Sequence, residues 1–368
     1  MPVSELFVFL TAGGAALAAV GLRHAMKTWR STHDGALRLL AASECGRFHS
    51  GRGILAGYTS IRRPVGPVLI GHLPAHAGTL SHELTVRVEL DRTLPDLRLT
   101  PRYCRSRRER SKDGPRVEIG DAAFDSAFHT RGHDREAVTL ALGPQARALC
   151  LAEIKAGGRA DLVIQVHHRS AADGTAISVT RTGWYQRQED LLAYLDFGCE
   201  LAQAIVRSWD APWQRVADRW KLELRTHATG FRRMEGTVAG TPLQIRESTD
   251  RRGRVTVIRA QAPMPQGLVV AHLDQAEQAG WIRQRRKLGN PVLDMLVAAK
   301  AHDWGAASAL LADEELTALL LAVVHAHPGS ELRHGAVHLV LPGWAFGDLE
   351  GLVEKVLALA EALRDQAD

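Results

Sequence analysis

The sequence predicts an α+β protein. An N-terminal transmembrane helix is expected to precede two tandem, diverged copies of one mainly antiparallel sheet-plus-helices module. Three observations carry this expectation. An uncharged apolar run opens the chain, similar blocks recur in the same order in its two halves, and each half groups short alternating strands with amphipathic helices. A chain of 368 residues suffices for two domains that each bury a core. With 45% hydrophobic and 24% charged residues it reads as globular, which argues against long disordered stretches. A net charge of +5 over this length does not by itself imply nucleic acid. The 4 cysteines (Cys45, Cys104, Cys150, Cys199) are dispersed without a CxxC, so neither a disulfide framework nor a thiolate metal site is indicated.

The run Leu6–Leu22, LFVFLTAGGAALAAVGL, carries no charge. As a helix rising about 1.5 Å per residue it would extend roughly 25 Å, close to a bilayer's apolar thickness. A signal peptide and a buried helix are the rival readings. Met1–Glu5 contains no Lys or Arg, whereas Arg23, Lys27 and Arg30 follow the run beside Trp29. That asymmetry favours an anchor over a signal peptide and places the N-terminus outside. Residues 1–28 are therefore expected to be anchor and basic flank of a single-pass inner-membrane protein, with the modules cytoplasmic; cleavage after the run would reverse that compartment.

The modules are expected at 29–208 and 209–368. IGDAAFDSAFHTRGHD from Ile119 aligns without a gap with LGNPVLDMLVAAKAHD from Leu288, a separation of 169 residues. Gly120/Gly289, Asp125/Asp294, His133/His302 and Asp134/Asp303 are identical. In the same order, GILAG (Gly53) resembles GTVAG (Gly236), the segment from Leu84 resembles that from Val255, the one ending at Trp184 resembles that ending at Trp344, and LAQAI (Leu201) resembles LAEAL (Leu359). Phe48 and Phe231 follow Trp29 and Trp213 at similar distances. Strands are expected over ILAGYTSI, ELTVRVEL, DLVIQV and TAISVTRT, and over RVTVIRA and GLVVAHL. Asp134, Pro144 and Asp313 sit at helix starts, and helices over about 189–207 and 348–364 close the copies. Strand order does not follow from the sequence.

The GDxxFDxxF block (Gly120, Asp121, Phe124, Asp125, Phe128) resembles one that recurs in uncharacterised, membrane-anchored bacterial proteins. The resemblance covers this block and the general layout, and implies no activity. The second copy departs from it with Asn290, Leu293 and Val297 at the positions of Asp121, Phe124 and Phe128.

Asp121 and Asp125, with His129 and His133, are the candidates for acid–base work, but an Asp at a loop-to-helix junction is first a cap for free backbone N–H groups. No catalytic residue is assigned, and no cofactor or metal is expected. The histidine groups His72/His76/His82, His167/His168 and His325/His327/His334/His338 lack metal-ligand spacing and a carboxylate partner. Gly51, Gly53 and Gly57 precede a strand rather than a helix, which argues for turns or bulges and against nucleotide binding. Cys104 stands among arginines without a nearby base. The remaining signal is basic: Arg102, Arg105, Arg107, Arg108, Arg110 and Lys112, with Arg116, stand just before the first block. Arg283, Arg285, Arg286 and Lys287 stand before the second, beside Trp281. A solvated loop is the plain reading; contact with an anionic surface is the functional one. A membrane-tethered, non-enzymatic binding or scaffold protein is expected. Its partners are the bilayer, through the N-terminal helix, and another membrane or cytoplasmic protein. An enzyme built around Asp121, Asp125 and His133 is one alternative. An electrostatic sensor using the Arg102–Arg116 loop is the other, with nucleic acid disfavoured for want of interleaved aromatics.

Overall fold

The computed structural model describes residues 32, 34–50, 57–74, 82–103, 114–157, 162–168, 175–182, 187–227, 230–250, 253–343 and 347–366. They form an α+β architecture with two antiparallel sheets, and the chain divides after Val206 into two compact units.

In the first unit a helix over 34–43 (α1) leads into β1 (Arg47–His49), β2 (Tyr58–Arg63), β3 (Gly66–Pro74), β4 (His82–Leu90) and β5 (Leu97–Pro101). Then come β6 (Arg116–Val117), α2 (Ala122–Ala127), β7 (Phe128–Gly132), α3 (Arg135–Ala141), α4 (Pro144–Gly157), β8 (Leu162–His168) and β9 (Thr175–Thr182). Alternation decides which face is buried. Val68 and Ile70 of β3, Leu84, Val86 and Val88 of β4, and Ile177 and Val179 of β9 point one way and are buried. Burying each such side chain contributes about 1.5–3 kcal/mol. The helix α5 (Gln188–Trp220) comes so close to β4 that a Cβ on Gly198 would stand 2.6 Å from Val86 Cγ1.

The second unit takes the rest of α5, then β10 (Glu223–Thr226), β11 (Arg232–Val238), β12 (Thr241–Asp250), β13 (Gly253–Gln261), β14 (Val269–His272) and α6 (Leu273–Gln278). It continues with α7 (Pro291–Leu296), β15 (Val297–Lys300), α8 (Trp304–Leu310), α9 (Glu314–Leu320), β16 (Glu331–Arg333), β17 (Ala336–Pro342) and α10 (Leu349–Asp365). Here α10 turns Val353, Val356, Leu359, Ala360 and Leu363 into a core with Leu243, Ile245, Ile258, Val337 and Leu339.

Along the first sheet the strands run β1-β2-β3-β4-β9-β8-β5-β7-β6, and along the second β10-β11-β12-β13-β17-β16-β14-β15. Each strand of the second has a counterpart at the same place in the first. The place of β6 is taken by a single bridge from Arg286 to Ala299, matching the Val117–Thr130 pair of the first sheet at the same 169-residue separation. The blocks at Leu84/Val255 fall on β4/β13, those at Ile119/Leu288 on α2–β7/α7–β15, and LAQAI/LAEAL on α5/α10. Two of the aligned features do not share a place. Gly57 precedes β2 whereas Gly240 closes the turn after β11, and Phe48 lies in β1 whereas Phe231 lies between β10 and β11.

The expected transmembrane helix is corrected by the structure. Among the described residues no helix is long and apolar enough to cross a membrane. The longest, α5, carries Glu189, Asp190, Asp196, Glu200, Arg207, Asp210, Arg215, Asp218 and Arg219 along its length, which suits a helix with one solvated face. The run Leu6–Leu22 lies outside the described residues. The helix expected to close the first copy near Arg207 instead continues through Pro212 to Trp220 and opens the second unit.

The outward face of each sheet is studded with charge, and its strands pair opposite signs two residues apart. Arg87 meets Glu89 at 3.9 Å, Arg116 meets Glu118 at 3.8 Å, Arg225 meets Glu223 at 2.7 Å and Arg333 meets Glu331 at 3.6 Å. Such pairs offset the like-charge opposition of Arg225, Arg233 and Arg246 across three neighbouring strands.

Candidate binding site

The repeated glycine turn is the best-defined feature shared by the two units. Gly120 has φ 86° and Gly289 φ 81°, the left-handed region, although a Cβ on either would meet nothing within 4 Å. In the first unit Asp125 Oδ1 accepts from Ile119 N at 3.1 Å, and Oδ2 from Gly120 N at 2.9 Å. In the second, Asp294 Oδ1 accepts from Leu288 N at 2.7 Å, and Oδ2 from Gly289 N at 3.3 Å. Asp121 caps α2 by accepting from Phe124 N at 3.1 Å, and Asn290 caps α7 by accepting from Val292 N and Leu293 N at 3.0 and 3.2 Å. Phe124 and Phe128 are buried and stack at 4.8 Å, while Leu293 and Val297 fill the matching places.

This geometry assigns the conspicuous carboxylates to the backbone. Both oxygens of Asp125 are occupied by amide donors. Asp121 has its cap and an ion pair with Arg147 at 3.5 Å. His133 is exposed just beyond β7, ahead of the Asp134 cap of α3. Asp121, Asp125 and His133 thus stand on one short stretch with separate local tasks.

The basic segment of the second unit adjoins its glycine turn, as do the described Arg102 and Arg116 in the first. Arg102 is exposed at the end of β5, and its N–H donates to Ala127 O at the end of α2, 2.8 Å away. Arg105, Arg107, Arg108, Arg110 and Lys112, together with Cys104, lie outside the described residues. The counterpart in the second unit is fully described. Trp281 precedes a 3-10 turn over Ile282–Gln284, and Arg283, Arg285, Arg286 and Lys287 are all exposed. Arg286 N donates to Ala299 O at 3.0 Å, tying the basic segment to β15. Lys300 Nζ stands 4.8 Å from the centre of the Trp281 ring, and the Arg286 guanidinium 5.7 Å from that of Trp304.

Among the described residues no group of three or more His, Cys, Asp or Glu could hold a metal ion. His272 stacks on His325 at 5.5 Å, and its Nδ1 accepts from Asp274 N, so its ring serves as a cap of α6. His334 occupies the β16–β17 turn at φ 53° against Arg333. Burial, with help from Arg259, Arg333 and His334, pushes His338 down to about 4. His327 is also lowered, chiefly by burial and then by Lys355. The side chains of His72, His76, His82, His167 and His168, and the residues Gly51 and Gly53, lie outside the described residues. Burial pushes the Cys150 thiol up to about 12 and Cys199 to about 11.

One constellation escaped the sequence reading. Arg232 and Glu247 are both buried and paired, with Glu247 Oε2 also accepting from Arg232 N at 2.9 Å. Arg232 Nη1 donates to Trp209 O at 2.8 Å, and its guanidinium lies 5.2 Å and 4.6 Å from the ring centres of Trp209 and Trp213. The signal was parity: Glu247 follows Leu243 and Ile245 at the inward positions of β12, and Arg232 precedes Met234 at those of β11.

Compared with known proteins, the chain matches no family, no curated protein and no solved structure. Nothing in these comparisons bears on the GDxxFDxxF resemblance.

Proposed function

We propose that the protein is a non-enzymatic binding or scaffold protein made of two diverged copies of one module. In this reading each module presents a basic shoulder to an anionic partner. The shared strand order and the paired turns support the reading of two copies. The observation that carries the functional reading is the fate of the carboxylates. Asp125 and Asp294 spend both oxygens on backbone amides, and the second turn replaces Asp121 with an Asn that caps equally well. A catalytic acid or base needs a free reactive atom in an environment that sets its proton affinity. What remains uncommitted at the second turn is positive charge: among the described residues no carboxylate pairs with Arg283, Arg285, Arg286 or Lys287.

Retention of the full chain on immobilised polyglutamate tests this reading. Replacing Arg283, Arg285 and Arg286 with Gln is expected to lower the salt needed for elution, whereas Asp121→Asn is expected to elute as the parent does. Equal elution of the triple variant and the parent would overturn it.

A further inference from the structure

The second unit carries at this shoulder an apolar feature that its counterpart lacks. Helix α7 buries Leu293 and turns Val292 and Met295, three residues apart, to solvent, where they are 55% and 75% exposed. At the equivalent positions of the first unit stand Ala123 and Ser126. The bond from Arg286 N to Ala299 O holds the basic segment against β15, which continues directly from α7. Lys300 Nζ donates to Gln284 at 3.3 Å as well as covering Trp281, so this corner is braced in place.

The geometry points to this corner as a docking site for an acidic, amphipathic segment of a partner protein. Trp281, Arg283, Arg285, Arg286, Val292 and Met295 would supply the contact. Three arguments select that occupant. Charge comes first: Arg283, Arg285, Arg286, Lys287 and Lys300 gather here, against Asp294 and Asp303, which face backbone amides, and Asp274 and Glu277 of the adjoining α6. Asn290 removes the carboxylate that Asp121 provides in the first unit. The corner is therefore cationic and calls for negative charge. Composition comes second, because Trp, Met and Arg are the residues enriched in protein interfaces and their hot spots. Third, the other polyanions fit less well. Single strands bind along a row of stacking rings, and the basic segment 281–287 carries a single one, Trp281. A helix of six residues spans only about 9 Å and offers two apolar side chains, little area to insert among lipids.

This inference rests on the binding reading above and narrows it to a partner class. Its test uses the full chain and a short labelled peptide that alternates Glu with Leu and Phe, read by fluorescence anisotropy. All-Glu and Lys-for-Glu peptides, phosphatidylglycerol vesicles and a uridine oligonucleotide serve as competing probes. The alternating peptide is expected to bind in a salt-sensitive manner, and to weaken about tenfold with Met295→Ser and again with Arg285→Glu. Both positions are exposed, so circular dichroism is expected to show an intact fold in each variant. An all-Glu peptide that binds as well, with no effect of Met295→Ser, would overturn this inference while leaving the general anionic reading in place. Tighter binding of vesicles or oligonucleotide, or no peptide binding, would overturn it too.

Discussion

Asp125 and Asp294 perform one task at two places in the chain. Each carboxylate accepts the amides of the residue before a left-handed glycine and of the glycine itself, and thereby pins a turn to the first turn of a short helix. That pairing gives both carboxylates a structural task, and at the second turn the exposed Arg283, Arg285, Arg286 and Lys287 stand beside it.

The device has a measurable signature. Asp125→Ala and Asp294→Ala each strand two amide donors and are expected to cost about 1–2 kcal/mol in urea unfolding. Asp121→Ala, which removes a cap and the ion pair with Arg147, is expected to cost about 1–2 kcal/mol. Asp121→Asn is expected to stay within about 0.5 kcal/mol of the parent, since Asn caps as well, does so in the second unit, and gives up only the partly exposed ion pair with Arg147. An Asp121→Asn variant as unstable as Asp121→Ala would contradict the capping role.

The Arg232–Glu247 pair allows a double-variant experiment. Arg232→Met or Glu247→Leu alone leaves an uncompensated buried charge and is expected to destabilise by about 3–5 kcal/mol. The double variant is expected to recover part of that loss, because no fully buried charge then remains, although Asp210, 3.5 Å from Arg232 and partly solvated, loses its partner. Additive losses would show that the two side chains act independently.

Histidine titration gives a pH dependence with a definite sign. His338 is pushed from 6.5 to about 4 in the folded state, so the unfolded chain binds its proton more readily between those values. Its contribution is complete above about pH 6.5 and is lost as pH falls toward 4. Burial disfavours its proton most, followed by Arg259, Arg333 and His334; Glu331, opposite it in the ladder, is paired with Arg333. His338→Gln is expected to flatten the fall in stability over that window, as followed by denaturation at several pH values. An unchanged slope would contradict this.

Thiol chemistry separates the cysteines by place. Cys45 is exposed, whereas Cys150 and Cys199 are buried, with thiols pushed up to about 12 and 11. Only the thiolate attacks an alkylating reagent, so at neutral pH peptide mapping is expected to find Cys45 labelled in the native chain. Cys150 and Cys199 should be labelled only after unfolding. Early labelling of Cys150 would show that its helix is not packed as described.

Much of the fold was legible because the periodic signals are local. Alternation in ELTVRVEL and TAISVTRT gave β4 and β9, and Asp134, Asp313 and Asp348 stand as caps where helix starts were expected. Strand order was not legible, since the β4–β9 pairing spans the whole middle of the first unit and no short pattern encodes it. Two alignments, Gly57 with Gly240 and Phe48 with Phe231, failed because short Gly- and Phe-containing blocks match by composition without sharing a place. The continuous helix through Pro212 was missed because proline normally marks a boundary. Of the site, the backbone role of these carboxylates and the second basic segment could be read in the sequence, but the helix cap expected of Asp125 and Asp294 belongs to Asp121 and Asn290. The outward pair Val292 and Met295 could not, because apolar residues beside a helix start read as core until the partner faces are known.

The most direct measurement is the affinity of the full chain for labelled polyglutamate across a series of salt concentrations, for the parent and for the variant with Arg283, Arg285 and Arg286 changed to Gln. A dissociation constant that rises steeply with salt in the parent, with a clearly shallower dependence in the variant, is the expected result. Identical salt dependence in the two proteins, or no binding by the parent, would contradict the account.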